Sequence, residues 1–169
     1  MKFLEVNNLD IEYQTRKETI YASKNVSFNL QRGEIIGIVG ESGSGKSTVA
    51  NAIINLIDKP GIITNGSIKL DGGELHNDTD IIKNIRGKKI GFIFQDPQTS
   101  LNPLFKIRDQ LIETIQTHSD LNFKEAESKS INLLREVGIE NPEKRINDYP
   151  HQFSGGMRQR VVIALAISC

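Results

Sequence analysis

A glycine-rich loop between an apolar run and an amphipathic segment is the feature that most constrains the fold. Residues 35–39 are apolar apart from one glycine and predict a short strand buried on both faces. Residues 46–57 predict a helix, because apolar side chains recur on one face. The joining loop matches G-x-x-x-x-G-K-[ST] and reads Gly40-Glu41-Ser42-Gly43-Ser44-Gly45-Lys46-Ser47-Thr48. This strand–loop–helix order predicts an α/β fold with a phosphate-binding loop.

The chemistry of this loop follows from its residue types. Glycines let the chain curl so that successive backbone N–H groups point at an anion, and the helix that follows adds its positive end. Lys46 supplies a positive charge for the β- and γ-phosphates, and the Ser47 hydroxyl is suited to bind Mg²⁺. We therefore predict that the loop binds a nucleotide. The loop alone does not distinguish GTPases, kinases and transport ATPases.

Composition and charge exclude several classes of protein. The 169 residues include 21 Lys and Arg and 21 Asp and Glu, and this zero net charge argues against a nucleic-acid partner. An apolar content of 37% predicts a soluble globular domain. The apolar runs are far shorter than the roughly 20 residues of a membrane helix. Glu5 argues against a signal peptide, and the single cysteine, Cys169, predicts a reducing compartment.

The first hundred residues predict mixed β and α structure. Partial alternation of apolar and polar residues predicts strands over 6–13, 25–30 and 67–70, the last followed by a turn at 71–73. A further apolar run predicts a buried strand over 89–94.

After Pro103 the pattern becomes helical. One helix is indicated by the apolar spacing of Ile107, Leu111, Ile112 and Ile115. A second is predicted to begin after Asn122, with Glu125 three residues on, and to end at Gly138. Its predicted buried face comprises Ala126, Ser130, Leu133, Leu134 and Val137. Ser154 is the predicted N-cap of a final helix that runs to the last residue.

A second motif precedes this final helix. It reads Phe153-Ser154-Gly155-Gly156-Met157-Arg158-Gln159-Arg160, which alone is an ordinary N-cap with a flexible turn. Its order and distance behind the phosphate-binding loop resemble the ATP-binding subunits of ABC transporters, whose signature reads Leu-Ser-Gly-Gly-Gln. The chain departs from that signature at Phe153 and Met157. Methionine followed by Arg-Gln-Arg is typical of the peptide and nickel importer branch.

Four further features of the sequence carry the same resemblance. Gln95 follows the predicted strand 90–94, as the Q-loop glutamine does in that family. Residues 96–103, Asp-Pro-Gln-Thr-Ser-Leu-Asn-Pro, and residues 149–152, Tyr-Pro-His-Gln, are similar to loops of oligopeptide, dipeptide and nickel importer ATPases. Tyr13 matches the aromatic residue that stacks on adenine. The resemblance covers essentially the whole chain.

The resemblance implies ATP and Mg²⁺ as cofactors. It implies that residues 40–48 hold the phosphates and that Ser47 and Gln95 complete the Mg²⁺ shell. It also implies that Ser154, Gly155, Gly156 and Met157 act in trans, on ATP bound to the second subunit of a head-to-tail homo- or heterodimer.

The implied partners are transmembrane permease subunits, contacted through the 96–103 loop and the helical subdomain, and indirectly an extracytoplasmic solute-binding protein. The implied location is the cytoplasmic face of the cell membrane. The implied activity is ATP hydrolysis that energises uptake of peptides or nickel, and the transported solute itself is left open.

Simpler interpretations of single residues remain open. Tyr13 fits an ordinary half-buried strand residue, and Gln95 fits a polar residue at a strand end. The three histidines, His76, His118 and His151, lack metal-ligand spacing and fit surface or capping residues. His151 is not interpreted as the family's switch histidine.

The family's Walker B strand, catalytic Glu and switch His have no counterpart in these residues. We therefore expect an incomplete nucleotide-binding domain, the amino-terminal part of a larger subunit that is inactive alone. Its expected parts are a nucleotide-binding core with a β subdomain (1–105), a helical subdomain (106–148), and the signature loop and helix (149–169). The alternatives are a soluble ABC ATPase without a transport role and a non-hydrolysing remnant.

Overall fold

The computed structural model of the chain describes residues 2–75 and 79–169. The chain divides into two compact units, Met1–Lys83 and Asn84–Cys169. The expected three-part division at 105 and 148 stays a prediction.

The first unit is built on a four-stranded antiparallel sheet. Its strands are β1 (Lys2–Gln14), β2 (Thr19–Gln31), β3 (Gly61–Leu70) and β4 (Gly73–Glu74), in the order β2-β1-β3-β4. β1 therefore pairs with a long strand on each side. The predicted strands over 6–13, 25–30 and 67–70 are confirmed, each inside a longer strand.

A bulge explains why alternation along β1 is only partial. The buried residues are Leu4 and Val6 before the bulge, and Leu9 and Ile11 after it. Both ladders shift register in this stretch, and Asn8 has a positive φ of 46°. The extra residue moves the buried set from even to odd positions, so one face of the strand stays apolar.

Helix α1 (Lys46–Ile53) follows the glycine-rich loop and is shorter than predicted. Its end coincides with Asn55, whose φ is 52° and whose N–H donates to the carbonyl oxygen of Ala52 at 3.0 Å. Asparagine tolerates this left-handed conformation and stops helices there. Residues 56 and 57 therefore lie beyond the helix.

Two predicted strands are not formed among the described residues. Residues 35–39 belong to no strand, and Ile35 and Val39 are 97% and 96% exposed. Residues 91–94 likewise belong to no strand, although Ile90 makes an isolated parallel bridge with Arg86. A buried parallel strand takes its hydrogen bonds from neighbouring strands, and no described strand pairs with either segment. The prediction of two buried strands is wrong for this reason.

The second unit is helical. Five α-helices lie in the described residues from 97 on: α3 (Pro97–Ser100), α4 (Ile107–His118), α5 (Phe123–Glu136), α6 (Pro142–Arg145) and α7 (Gly155–Ala166). A further helix, α2 (Thr79–Ile85), precedes them and has only its last two residues in this unit, and a 3₁₀ turn occupies Pro150–Gln152. The buried core of this unit, called the helical core below, comprises Leu101, Ile107, Leu111, Ile112, Ile115, Ala126, Leu133, Leu134, Ile139, Ile146, Phe153, Val161, Val162 and Ala164.

In the second unit the predicted helix ends are confirmed with one exception. The Asn122 side chain accepts from the Glu125 N–H at 3.1 Å, and the Glu125 carboxylate accepts from the Asn122 N–H at 2.9 Å. This reciprocal pair satisfies two N–H groups that the first turn of α5 leaves free. Ser130 is buried as predicted, and Val137 is half-buried against the helical core. The exception is α7, which ends at Ala166 rather than at the last residue.

Candidate nucleotide-binding site

The glycine-rich loop turns sharply where it joins α1. Gly45 is the residue before the helix and has a φ of 87°, and Gly43 has a φ of 82°. A side chain at Gly45 would overlap the backbone carbonyl of Ala22 in β2. Gly45 is therefore required twice, for its left-handed conformation and for the close approach of β2.

The Lys46 side chain folds back over this loop. Its ammonium donates hydrogen bonds to the carbonyl oxygens of Gly40 at 2.8 Å and Glu41 at 2.6 Å, and to the Ser44 Oγ at 3.2 Å. Lys46 is also the first residue of α1, so the loop carries one positive charge where the helix begins. Both features favour an anion at the same point.

A cleft of about 340 Å³ opens in front of the loop. It is lined by residues 43–48 and by Tyr13, Ile20, Tyr21 and Ala22 of the first two strands. Tyr13 lies half-buried in β1, opposite Ile20 in β2 and Gly61 in β3. A cleft of this size, lined by two tyrosines and one lysine, falls in the range of small-molecule sites.

The structure brings together most, but not all, of the predicted site residues of the first unit. Tyr13, Gly43, Ser44, Gly45, Lys46, Ser47 and Thr48 share the cleft. Glu41 and Ser42 are exposed on the loop outside it. Gly40 lines a neighbouring groove of about 440 Å³ with residues 36–39.

Three residues of the cleft were not identified from the sequence. Ile20, Tyr21 and Ala22 lie in β2 ahead of the predicted strand 25–30. The signal that could have found them is register, because a hairpin that pairs Tyr13 with Ile20 brings residues 20–22 to the same end of the sheet.

In the second unit, Gln95 lies exposed at a bend just before α3. After α3, the Gln110 side chain of α4 holds the following turn: its Oε1 accepts from the Asn102 N–H at 2.9 Å, and its Nε2 donates to the carbonyl oxygens of Asn102 and Phe105, both at 3.0 Å. The turn therefore has a fixed form and presents Leu104, which is 80% exposed.

The signature segment forms the start of α7. The Ser154 Oγ accepts from the Met157 N–H at 3.3 Å, and Ser154 is the N-cap. Phe153 is buried in the helical core, whereas Ser154, Gly155 and Gly156 are exposed. The N–H groups of an exposed, capped helix start can meet an anion from outside the unit.

Metal-binding residues are few in the described part of the chain. Residues 2–75 and 79–169 contain no group of three or more His, Cys, Asp or Glu side chains able to hold a metal ion. His118 packs against Gly87, and His151 stacks on Tyr149 with ring centroids 5.6 Å apart. His76 lies outside the described residues. The Ser47 hydroxyl, exposed in the cleft beside Lys46, is an oxygen donor of the type Mg²⁺ prefers.

Comparison with known proteins identifies the family. The family model described as ABC transporter matches residues 23–169. The chain resembles a solved structure titled as a dimeric post-hydrolysis state of the ATP-binding cassette MJ0796 bound to ADP and Pi, with a TM-score of 0.85, 34% identity, and coverage of 98% of this chain and 69% of that one. The chain therefore belongs to the ABC transporter family and has the α/β fold of its ATP-binding cassettes.

Within this family, the chain is similar in sequence to ATP-binding proteins of oligopeptide and dipeptide transport. The chain is 46% identical to the oligopeptide transport ATP-binding protein OppD of Bacillus subtilis (strain 168), over 99% of this chain and 47% of the relative. It is 41% identical to the dipeptide transport ATP-binding protein DppD of Haemophilus influenzae, over 100% of this chain and 52% of the relative. The chain thus spans about half the length of these curated relatives. Across the two described stretches, no helix has the length and apolar character needed to cross a bilayer.

Proposed function

We propose that this chain binds Mg·ATP as part of an ATP-binding subunit that energises an ABC importer of peptides or nickel. The observation that carries the proposal is the cleft that Tyr13 shares with residues 43–48 of the phosphate-binding loop. The names of the oligopeptide and dipeptide relatives support the peptide branch.

Each wall of the cleft has a task in this proposal. Tyr13 stacks on the adenine, with Ile20 beside it on the neighbouring strand. Residues 40–48 hold the phosphates, and the Lys46 ammonium exchanges its carbonyl acceptors for phosphate oxygens, which bind a cation more strongly because they are charged.

The Mg²⁺ site would use the Ser47 hydroxyl, which is exposed in the cleft, and the family resemblance adds Gln95 as a further ligand. When bound, the ion neutralises charge that develops on the β- and γ-phosphates. Gln95 also senses the γ-phosphate in this proposal and relays its state through the 96–103 loop.

A second ATP-binding subunit completes the site. Ser154, Gly155, Gly156 and Met157 act on ATP held by the partner, and the exposed, capped start of α7 suits that task. The dimeric state of the solved relative supports this arrangement. A two-fold head-to-tail dimer would contain two equivalent composite sites.

The remaining proposed partners belong to the transporter. Permease subunits dock on the 96–103 loop and the helical subdomain, which places the protein at the cytoplasmic face of the membrane, and a solute-binding protein acts through them. The fixed turn that Gln110 holds, with Leu104 exposed, supports a docking role for this region.

Mg·ATP binding by the purified chain tests the proposal. We expect Lys46→Ala to weaken the affinity at least about tenfold, because a charge-assisted contact with phosphate is lost. Lys17→Ala is the matched control, since Lys17 lies exposed in the turn between β1 and β2, and it should bind as the unmodified protein does. Titration calorimetry measures both. Equal affinity of the Lys46 and Lys17 variants would contradict the proposal.

A further inference from the structure

The C-terminal end of α5 leaves two carbonyl groups for an outside donor. The N–H of Gly138 donates to the carbonyl of Arg135 at 3.0 Å, and the N–H of Ile139 donates to that of Leu134 at 2.9 Å. This pair of bonds is the Schellman termination, and it satisfies carbonyls inside the helix. The carbonyls of Val137 and Gly138 point past the end of the helix and are not used by it.

Arg160 in α7 donates hydrogen bonds to both of these carbonyl oxygens. Its Nη1 donates to the Gly138 oxygen at 2.7 Å and to the Val137 oxygen at 3.2 Å. The positive guanidinium also meets the negative end of the α5 dipole, which strengthens the contact. α7 is therefore fastened at its middle to the end of α5.

Gly138 makes room for this contact. Its φ is 77°, and a side chain built on it would overlap the Arg160 Nη1. The position thus favours glycine for the left-handed turn, and an added side chain would displace the guanidinium that covers it.

From these contacts we propose that Arg160 is a positioning residue that fixes the direction in which α7 presents the signature turn. The inference rests on the proposed function, in which that turn meets the partner's nucleotide. Ser154 lies six residues before Arg160, or about 9 Å along a helix. A tilt of about 10° around the Arg160 contact would move the turn by about 1.5 Å, and displacements of that order impair catalytic sites.

The difference in burial between Arg160 and the core residues of α7 distinguishes a positioning role from a role in folding stability. Arg160 is exposed, whereas Phe153, Val161 and Val162 hold α7 in the helical core. Loss of the Arg160 contact should therefore leave the second unit folded but change the orientation of α7.

The test compares nucleotide-dependent dimerisation with nucleotide binding. Arg160→Gln removes the tether, Arg160→Lys keeps its charge, and Gly138→Ala displaces the guanidinium from the other side. Arg135→Gln is the matched control, because Arg135 lies at the same end of α5 and pairs with Glu143 and Asn132 rather than with α7. Sedimentation velocity with Mg²⁺ and the non-hydrolysable analogue AMP-PNP gives the dimer dissociation constant, and calorimetry gives each chain's own affinity for Mg·ATP.

We expect Arg160→Gln and Gly138→Ala to raise the dimer dissociation constant about tenfold, because a displaced signature turn would weaken about one charge-assisted contact with the partner's nucleotide. Arg160→Lys should restore part of the loss, and Arg135→Gln should match the unmodified protein. Affinity for Mg·ATP should stay within about twofold in all variants, because each chain's own loop is untouched.

The outcomes separate the inference from the proposed function. An unmodified protein that fails to bind Mg·ATP, or binds it without dimerising, contradicts the proposed function and the inference with it. Normal dimerisation of Arg160→Gln overturns the inference alone, and so does an equal loss of ATP affinity in that variant. Should Arg160→Gln not fold, Arg160→Lys and Gly138→Ala decide in the same way.

Discussion

The helical core and the apolar run 35–39 have similar side chains and opposite environments. Ile115 in α4 is 1% exposed, whereas Ile35 is 97% exposed. The helices of the second unit form their hydrogen bonds within each segment and need neighbours only for packing. A parallel strand needs neighbours for every backbone hydrogen bond. Apolar composition therefore predicts burial only where the backbone can also be satisfied.

The largest expected effect comes from one substitution made in both places. Ile115→Ala should lower the free energy of unfolding by about 2–5 kcal/mol, because it removes buried methyl groups and leaves a cavity. Ile35→Ala should change it by less than about 0.5 kcal/mol, because the side chain is exposed. Urea denaturation followed by circular dichroism measures both.

Equal losses of unfolding free energy in Ile115→Ala and Ile35→Ala would contradict the contrast between the helical core and the run 35–39. They would mean that residue 35 packs as tightly as residue 115 in solution.

A smaller loss of stability is expected from removing the N-cap of α5, and it tests whether residues next to the helix determine where it begins. Asn122→Ala removes the acceptor that caps α5 and should cost about 1 kcal/mol of unfolding free energy. Asn122→Ser keeps an acceptor at the same position and should retain most of the stability. Thermal melts of the two variants supply the measurement, and a Ser variant no better than the Ala variant would show that the capping box contributes nothing.

The smallest expected effect concerns the ion pair between Arg135 in α5 and Glu143 in α6. A hydrogen bond from its own backbone N–H, and next one from Arg135, hold the pKa of Glu143 below its ordinary value of 4.5. Because the folded-state pKa is lowered, the stabilisation is present above about pH 4.5 and is lost as pH falls through the lower folded value. Glu143→Gln should therefore melt at most about 1 °C lower at neutral pH and converge with the unmodified protein in acid.

Glu140→Gln is the matched control for this prediction, because Glu140 is an exposed carboxylate three residues earlier. If melting of Glu143→Gln and the unmodified protein differs equally at all pH values, the assigned cause is wrong.

Sequence reasoning succeeded where the signal and the structure lie within one segment. The capping box at Asn122, the stop at Gly138 and the cap at Ser154 are all read within a few residues. Parts of β1, β2 and β3 are predicted because apolar and polar residues alternate within each segment, whereas the two-residue β4 is not predicted as a strand. The run 35–39 was misjudged because its composition says nothing about which strand would lie beside it.

The residues of the candidate site also fall into two groups, those in a contiguous motif and those brought in by distant pairing. The loop 40–48 is a contiguous motif, so its residues were found directly. Ile20, Tyr21 and Ala22 join the cleft through the pairing of β1 with β2, and Arg160 reaches α5 through the packing of two helices. Such residues carry no local pattern, because their partners are distant in the sequence. Tyr13 was found only because a known family has an aromatic residue there.

The close approach of Gly45 to β2 also limits how this loop can evolve. The atom that a side chain at position 45 would strike is the carbonyl oxygen of Ala22, which every amino acid carries. No exchange at position 22 can therefore act as a second-site suppressor of Gly45→Ala. At Gly40 the Ser44 Oγ lies 2.8 Å from the point where a methyl carbon would be added, so a smaller residue at 44 could compensate. The two glycines therefore differ in whether a second substitution can compensate for their replacement. At Gly45 the obstacle is a main-chain atom, whereas at Gly40 it is a side chain that can itself be replaced.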